Sequence, residues 1–231
     1  MRVVITQPDF WPWLGFFDKV AKADRFIFLD HVANRPNDGI LTKRVRILLG
    51  GRSHWLGIPL CRDRQREFVP IAEMVIDNEP RLCRKQLETV RHAYSKHTVF
   101  REIFPLVEAY YQLGGTSIAD RNIMAVEWVC ERLGLRLEYT RSSTMQISGH
   151  SNQMLLNIVN HVDGTEYLYG AGSTEYLDFE MWAASGIKLV AQDFSHPVYE
   201  QGGSSAFTSG LSVIDALMNL GFSGVRALMV E

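Results

Sequence analysis

Three side chains in this 231-residue chain are candidates for moving a proton: Asp30, His31 and His196. Asp30 follows a strand-like run at residues 25–29, and α/β proteins place catalytic groups at the ends of their strands. An imidazole suits general acid–base work near neutral pH, which favours His31 and His196. The sequence therefore predicts a general base among these three residues. The alternatives are that Asp30 is a structural cap and that His31 is an exposed loop residue without a role.

A loop at residues 7–15, with the sequence QPDFWPWLG, separates the first predicted strand from the first predicted helix. Two prolines restrict this loop, and the free backbone N–H groups at the start of the helix form an anion site. Gln7 with Pro8 and Trp13 with Gly15 are the candidate ligand contacts, through a hydrogen bond, a stacking face or close backbone approach. The alternative is that the tryptophans plug the edge of the sheet and Gly15 permits close packing.

A second candidate anion loop, YGAGST at residues 169–174, lies between another predicted strand and helix. Gly172 and Ser173 are its candidate ligand contacts, since glycines and hydroxyl groups can form an anion-binding nest. Glu175 breaks the GxGxxG dinucleotide fingerprint, and an ordinary Ser or Thr helix cap explains much of the pattern.

The charge is uneven along the chain. The whole sequence has 24 Lys and Arg against 26 Asp and Glu, which argues against a generally basic nucleic-acid binder. Residues 43–101, however, contain 13 basic and 6 acidic residues, a net charge of +7. This segment predicts an anionic partner such as a nucleotide, a phosphate or an RNA backbone. The alternative is that Arg62, Arg64 and Arg66 coat a solvated edge.

Other kinds of site are not indicated. The three cysteines form no CxxC pair and the seven histidines have no zinc spacing, so the sequence predicts no disulfide framework, no metal and no cofactor. No signal peptide and no membrane-inserting segment are recognisable, and we expect a cytoplasmic protein.

The elements that must position these residues predict an α/β fold. Strands are expected at residues 2–6, 25–29, 135–140, 166–169 and 187–194. They alternate with helices, including one at 175–184, in a largely parallel sheet with a Rossmann-like β-α-β opening. A basic β-hairpin around Gly50-Gly51, a strand at 69–76 and three helices between 81 and 133 interrupt that pattern. We expect one α/β domain over residues 1–231, with 43–133 as the hairpin and helical insertion.

Short motifs along nearly the whole chain resemble the WbqC-like protein family, bacterial proteins often encoded among surface-glycan genes. The motifs are Gln7-Pro8 with Pro12, Gly15 and Phe17; Ala23-Asp24 with Phe28-Leu29-Asp30; Arg44 and Arg46; Tyr94, Lys96 and Phe100; Ser142-Ser143; Tyr167, Gly172 and Tyr176; Gly186-Ile187; Pro197, Tyr199 and Gln201; and residues 211–215. The resemblance implies substrate contacts at Arg44, Arg46, Tyr94, Lys96, Ser142, Ser143, Tyr167, Tyr176, Tyr199, Gln201, Ser212 and Asp215.

One departure from the family lies after Asp30. Relatives usually show Asp-Asp-Val-Gln and soon a Lys and a Trp, whereas this chain has Asp30-His31-Val32-Ala33 and a stretch about two residues longer. The departure suggests a different substrate if the missing groups touch substrate in relatives. The opening also resembles nucleotidyltransferase-type α/β domains, as does the Ser-Ser-Thr loop at 142–144, but their His-x-x-His element is missing.

The leading hypothesis is a transferase that tailors a sugar or amino-group acceptor from an activated anionic donor, by acyl, aminoacyl or nucleotidyl transfer. The donor would contain a nucleotide or phosphate, and an aminoacyl-tRNA is one such donor. The alternative is a non-catalytic binding or scaffold protein in surface-glycan assembly. The sequence leaves the oligomeric state open.

Overall fold

Five of the seven strands build one parallel sheet. The computed structural model describes residues 1–33, 40–61, 69–204 and 206–230. Its strands are β1 (Arg2–Thr6), β2 (Arg25–Phe28), β3 (Arg44–Leu49), β4 (Arg52–Gly57), β5 (Tyr139–Arg141), β6 (Glu166–Tyr169) and β7 (Lys188–Ala191). The sheet order is β5-β2-β1-β6-β7 with every pair parallel, while β3 and β4 form an antiparallel hairpin. The predicted α/β class with a largely parallel sheet is confirmed.

Eight α-helices surround these strands. They are α1 (Leu14–Lys22), α2 (Ile40–Lys43), α3 (Pro80–Tyr94), α4 (Phe100–Gln112), α5 (Ile118–Leu133), α6 (Ser151–His161), α7 (Phe179–Ser185) and α8 (Val213–Val230), within the described residues. None of these helices is both long enough and apolar enough to cross a bilayer. Short 3₁₀ turns occupy Ile71–Glu73, Ser142–Thr144 and Ala171–Tyr176.

The opening β1-α1-β2 unit forms because its apolar residues are continuous in the two strands and recur at helical spacing in α1. In β1 and β2, Val3, Val4 and Ile27 are fully buried because helices cover both faces of a parallel sheet. In α1, Phe16, Phe17 and Val20 recur at helical spacing and pack into the core. The crossover therefore leaves the loop before α1 at the carboxyl edge of the sheet.

The strand order reverses beside β1. The chain proceeds from β1 to β2 and β5 on one side, then returns to place β6 and β7 on the other. We call the region outside the carboxyl ends of β1 and β6 the crevice. Open α/β sheets bind ligands at such a switch point.

The hairpin and helices α3 to α5 lie between β2 and β5 in the chain. The side chain of Ser117 caps α5 by accepting a hydrogen bond from the Asp120 N–H (3.2 Å), as the S-x-x-D pattern predicts. The hydroxyl of Tyr94, on α3, accepts a hydrogen bond from the Leu48 N–H (3.1 Å), so the hairpin and α3 pack together.

Two predicted elements differ from the structure. The strand expected at 69–76 is wrong, because Ile71–Glu73 forms a 3₁₀ turn whose Ile71 and Ala72 N–H groups donate to the carbonyls of Val32 and Asp30. The helix expected at 175–184 begins only at Phe179, because buried Leu177 ends the preceding turn and Asp178 caps α7. The predicted cluster of Arg62, Arg64 and Arg66 lies outside the described residues.

Candidate functional site

Asp30 lies just beyond β2 and its side chain is fully buried. Its Oδ1 accepts hydrogen bonds from the Ser143 N–H (2.8 Å) and the Ser142 hydroxyl (3.2 Å). Its Oδ2 accepts from Arg141 Nε (2.6 Å) and the Ser143 hydroxyl (2.8 Å). Burial alone would raise the pKa of Asp30, but the hydrogen bonds from Arg141 and Ser143 outweigh it and the pKa is lowered. This carboxylate is a saturated acceptor that joins the carboxyl ends of β2 and β5.

His31 belongs to the same cluster. Its Nδ1 lies 2.7 Å from the Ser142 hydroxyl oxygen, and the ring is half-buried. Burial lowers the pKa of His31, and the nearby charge of Asp30 opposes that effect. Arg141 also pairs with Asp120 at the start of α5. The structure thus brings Asp30, His31, Ser142 and Ser143 together in one cluster, whose members contact one another through hydrogen bonds.

The loop at residues 7–15 is fixed from several directions. Gln7 Oε1 accepts a hydrogen bond from the Thr42 hydroxyl (3.3 Å), and the Pro8 carbonyl accepts one from Asn122 Nδ2 (2.8 Å). The Ser212 hydroxyl donates to the Trp11 carbonyl (2.6 Å). Elements α2, α5 and the start of α8 therefore position the loop, although its own backbone carries an unusual positive φ of 39° at Trp11.

Two charged groups beside the crevice are Lys19 of α1, whose Nζ lies against Gly170, and Asp9 of this loop, whose charge acts on Lys19. Asp9 is only 8% exposed, and within the described residues neither its carboxylate nor the Lys19 ammonium has a hydrogen-bond partner. Burial raises the pKa of Asp9 to about 7, against the opposing charge of Lys19. Burial also lowers the pKa of Lys19, although the charges of Asp9 and Asp18 raise it. Asp9 can therefore exchange a proton near neutral pH, and the Lys19 ammonium group is available to pair with an anion.

The carboxyl ends of β6 and β7 complete the crevice. Lys19 Nζ lies 2.8 Å from the position that a Cβ on Gly170 would occupy, so the absence of a side chain there leaves room for the ammonium group. Gln192 Nε2 donates to the Gly15 carbonyl and to Asp18 Oδ2, both at 2.7 Å. Residues following three strands thus converge on α1.

His196 extends the crevice as part of an aromatic cluster. Its ring stacks on Trp13 with centroids 6.2 Å apart and planes 23° apart, and Phe194, Tyr199 and Phe207 pack around it. Its Nδ1 lies 3.0 Å from the Pro197 carbonyl oxygen, whereas Nε2 is buried without a partner among the described residues. Trp13 can lie over the first turn of α1 because residue 15 is glycine; a Cβ there would lie 2.3 Å from the indole.

A separate buried network contains five of the predicted binding residues. Asp215 Oδ1 accepts from the Tyr94 hydroxyl (2.7 Å), and Oδ2 accepts from the Tyr199 hydroxyl (2.8 Å) and Gln201 Nε2 (3.2 Å). Burial raises the pKa of Asp215, and these three hydrogen bonds oppose it. All four side chains, and Ser212 beside them, are at most 8% exposed. Their geometry fixes the segment before α8 against α3 and the hairpin.

The remaining predicted binding residues are dispersed. Tyr167 is buried and stacks on Trp182 with centroids 4.8 Å apart. Gly172 and Tyr176 are exposed, and Ser173 is half-buried, on the 3₁₀ turn after β6. Arg46 is exposed on the hairpin, where Arg44 covers the Trp55 ring at 4.5 Å. Lys96 lines a groove between the hairpin and α3.

Sequence reasoning missed Asp9 and Lys19 as site residues. One signal was present: Gly15 and Lys19 are four residues apart on a helix, so they share a face. Among the described residues, no three His, Cys, Asp or Glu side chains are grouped to hold a metal ion.

Comparison with known proteins identifies relatives but no activity. The sequence matches the model of the WbqC-like protein family over residues 7–227. The uncharacterised protein Rv1507c of Mycobacterium tuberculosis is 25% identical over 224 residues, covering 95% of this chain and 94% of the relative. No solved structure matches the chain significantly.

Proposed function

We propose that this chain, which belongs to the WbqC-like protein family, is a transferase that holds the anionic part of an activated donor in the crevice between β1 and β6. The transferred acyl, aminoacyl or nucleotidyl group passes to a hydroxyl or amine of a sugar or a small amino compound. The donor contains a phosphate or nucleotide, which the position of the crevice at the reversal of strand order and the ammonium group of Lys19 favour together.

The observation that carries this proposal is the half-buried ammonium group of Lys19, which has no hydrogen-bond or ion-pair partner among the described residues. Asp9 and Asp18 are close enough to raise its pKa, but neither is within ion-pair distance of the ammonium group. Lys19 lies against Gly170 at the point where the strand order reverses, the usual place for ligands in open α/β sheets. A ligand phosphate would supply the missing acceptor, and the first N–H groups of α1 lie at the same edge of the sheet.

Asp9 fits the proton-transfer role better than Asp30. A carboxyl group with a pKa of about 7 can both accept and return a proton near neutral pH, whereas Asp30 already accepts four hydrogen bonds. In the proposed step, the acceptor oxygen or nitrogen bonds to the electrophilic carbon or phosphorus of the donor. The bond to the leaving group breaks, the acceptor proton passes to Asp9, and the anionic leaving group remains paired with Lys19. His196, with its free Nε2, is the second candidate base.

Ligand binding tests this proposal before the donor is known. Isothermal titration with inorganic pyrophosphate, ATP, UDP and coenzyme A at low salt should reveal binding of at least one of them. Since a hydrogen bond to a charged group contributes about 1.5–3 kcal/mol, Lys19→Gln should weaken that binding roughly 10- to 150-fold. The matched control is Lys22→Gln, which removes a cation of the same helix that is already paired with Asp18. Equal affinity of wild type and Lys19→Gln would contradict the proposal.

One observation favours the non-catalytic alternative. Tyr176 and Phe179 are 74% and 48% exposed beside the end of β6, and exposed large apolar side chains mark interaction surfaces when they cluster. A scaffold protein would bind none of the four anions and would associate through this surface. Loss of a binding partner in a Tyr176→Ser, Phe179→Ser variant, with no anion binding in wild type, would favour the scaffold.

A further inference from the structure

A second concave surface lies away from the crevice, between the β3–β4 hairpin and α3. This groove has a volume of about 1240 Å³, above the roughly 300–1000 Å³ typical of small-molecule sites. Its floor is made by two glycine turns in contact: a Cβ on Gly51 would lie 2.8 Å from the Gly203 carbonyl oxygen. His97 closes one end, with a buried Nε2 that has no partner among the described residues.

The wall formed by α3 is basic. Lys85, Thr89, His92 and Lys96 recur at intervals of three and four residues, so they form one stripe along α3 and just beyond its end. Arg91 also lines the groove but is occupied, since it pairs with Glu88 at 3.4 Å and covers the Phe104 ring at 4.6 Å. Lys85 and Lys96 have no ion-pair partner within the described residues.

The length of this stripe exceeds a single nucleotide. From Lys85 to the end of α3 at Tyr94 is nine residues, about 14 Å at 1.5 Å per residue, and Lys96 lies two residues farther on. A nucleoside diphosphate covers only part of that distance, whereas a strand with one phosphate per nucleotide can contact both lysines. His54 on β4 and His92 on α3 are exposed in the same groove, and imidazole rings can stack on unpaired bases.

We infer that the groove binds a single strand of nucleic acid, with Lys85 and Lys96 on its phosphates and His54 and His92 beside its bases. The inference rests on the proposed function, because the segment from Gln192 to Gly203 lines the crevice at its start and the groove at its end. A strand held in the groove can therefore carry an activated group toward Lys19. An RNA that bears an ester at its 3′ end would be such a donor.

Fluorescence anisotropy with labelled 12-nucleotide RNA and DNA strands tests the inference. For wild type we expect affinity to fall with salt, with a log–log slope of about −1.4 or steeper for two phosphate contacts. The Lys85→Gln, Lys96→Gln variant should flatten the slope by about 1.4 and weaken binding roughly 60-fold at 50 mM salt. Tighter binding of either RNA or DNA identifies which strand the groove prefers.

The control variant is Arg81→Gln, Arg101→Gln, which removes two exposed cations of the same basic segment outside the groove. It should keep wild-type affinity to within about threefold. Absence of strand binding, equal losses in the two double variants, or equally tight binding of polyglutamate would overturn the inference. Pyrophosphate binding that depends on Lys19 would leave the proposed function standing in each of those cases.

Discussion

Asp9 should make the folded protein less stable as the pH rises from about 4 to 7. Burial raises the pKa of Asp9 from 3.8 to about 7, so the folded protein retains a proton that the unfolded chain releases between those values. The favourable effect of that proton is complete below pH 3.8 and is lost as pH rises through 7. Each pKa unit corresponds to about 1.36 kcal/mol, so a buried ionised Asp9 costs about 4 kcal/mol at pH 8.

The substitution Asp9→Asn removes this cost while keeping the size of the side chain. We expect the variant to exceed wild type in free energy of unfolding by an amount that grows by about 2 kcal/mol between pH 5 and 7 and levels off by pH 8. Urea denaturation at pH 5, 6, 7 and 8 measures the difference.

A control for total charge is Asp163→Asn, an exposed residue just before β6, at the opposite edge of the sheet from Asp9. A difference between Asp9→Asn and wild type that does not change over this pH range would refute the assignment of Asp9 as a buried group that titrates near neutrality. If Asp9 belongs to a functional site, Asp9→Asn should be more stable than wild type and should transfer no group to the acceptor.

Three further substitutions separate the crevice from the residues that support it. Gly170→Ala should fold normally, because the Gly170 φ of −85° suits alanine, but its Cβ would displace the Lys19 ammonium and weaken pyrophosphate binding at least tenfold by calorimetry. Asp30→Ala should lower the free energy of urea unfolding by about 3–5 kcal/mol at pH 7, since it leaves Arg141 unpaired. Because the pKa of Asp30 is lowered, that loss should shrink as pH falls below about 4. Tyr94→Phe should cost about 1–3 kcal/mol of stability, through the unsatisfied Leu48 N–H, and leave pyrophosphate affinity within twofold.

The fold was largely predictable because its signals are local. Buried β-branched strands, the Gly50-Gly51 turn and the Ser117 cap each depend on residues close in sequence, and all three are present. The segment at 69–76 was predicted wrongly for the same reason. Its apolar residues resemble those of a strand, yet the Ile71 and Ala72 N–H groups donate to the carbonyls of Val32 and Asp30, about forty residues earlier.

The candidate site was less predictable because it is recognised by side chains that have no hydrogen-bond partner among the described residues. Nothing local marks Asp9 as unpartnered or Lys19 as lying against Gly170, since both facts arise when β6 returns beside β1. The predicted binding residues Tyr94, Tyr199, Gln201 and Asp215 do lie together, but they form a buried hydrogen-bond network. The family motifs include that network but neither Asp9 nor Lys19, so only the geometry points to those two residues.

Asp9 and Asp30 follow adjacent parallel strands, and their environments give them opposite properties. Asp30 accepts four hydrogen bonds and an Arg141 ion pair, so it stays ionised and rigid. Asp9 is buried without a hydrogen-bond partner among the described residues, so it readily holds a proton. Two carboxyl groups whose pKa values are driven apart in this way identify which one can exchange a proton and which one supports the structure.

The same comparison of environments applies to His31, which directly follows Asp30. The Ser142 hydroxyl donates toward Asp30 Oδ1 and also lies 2.7 Å from His31 Nδ1. A second carboxylate there would place like charges side by side and compete with Asp30 for the same donors. Histidine keeps one negative charge in the cluster and leaves Arg141 bound to Asp30. His31 therefore belongs to the cluster that supports the crevice, and the groups proposed to meet the donor, Asp9 and Lys19, lie outside that cluster.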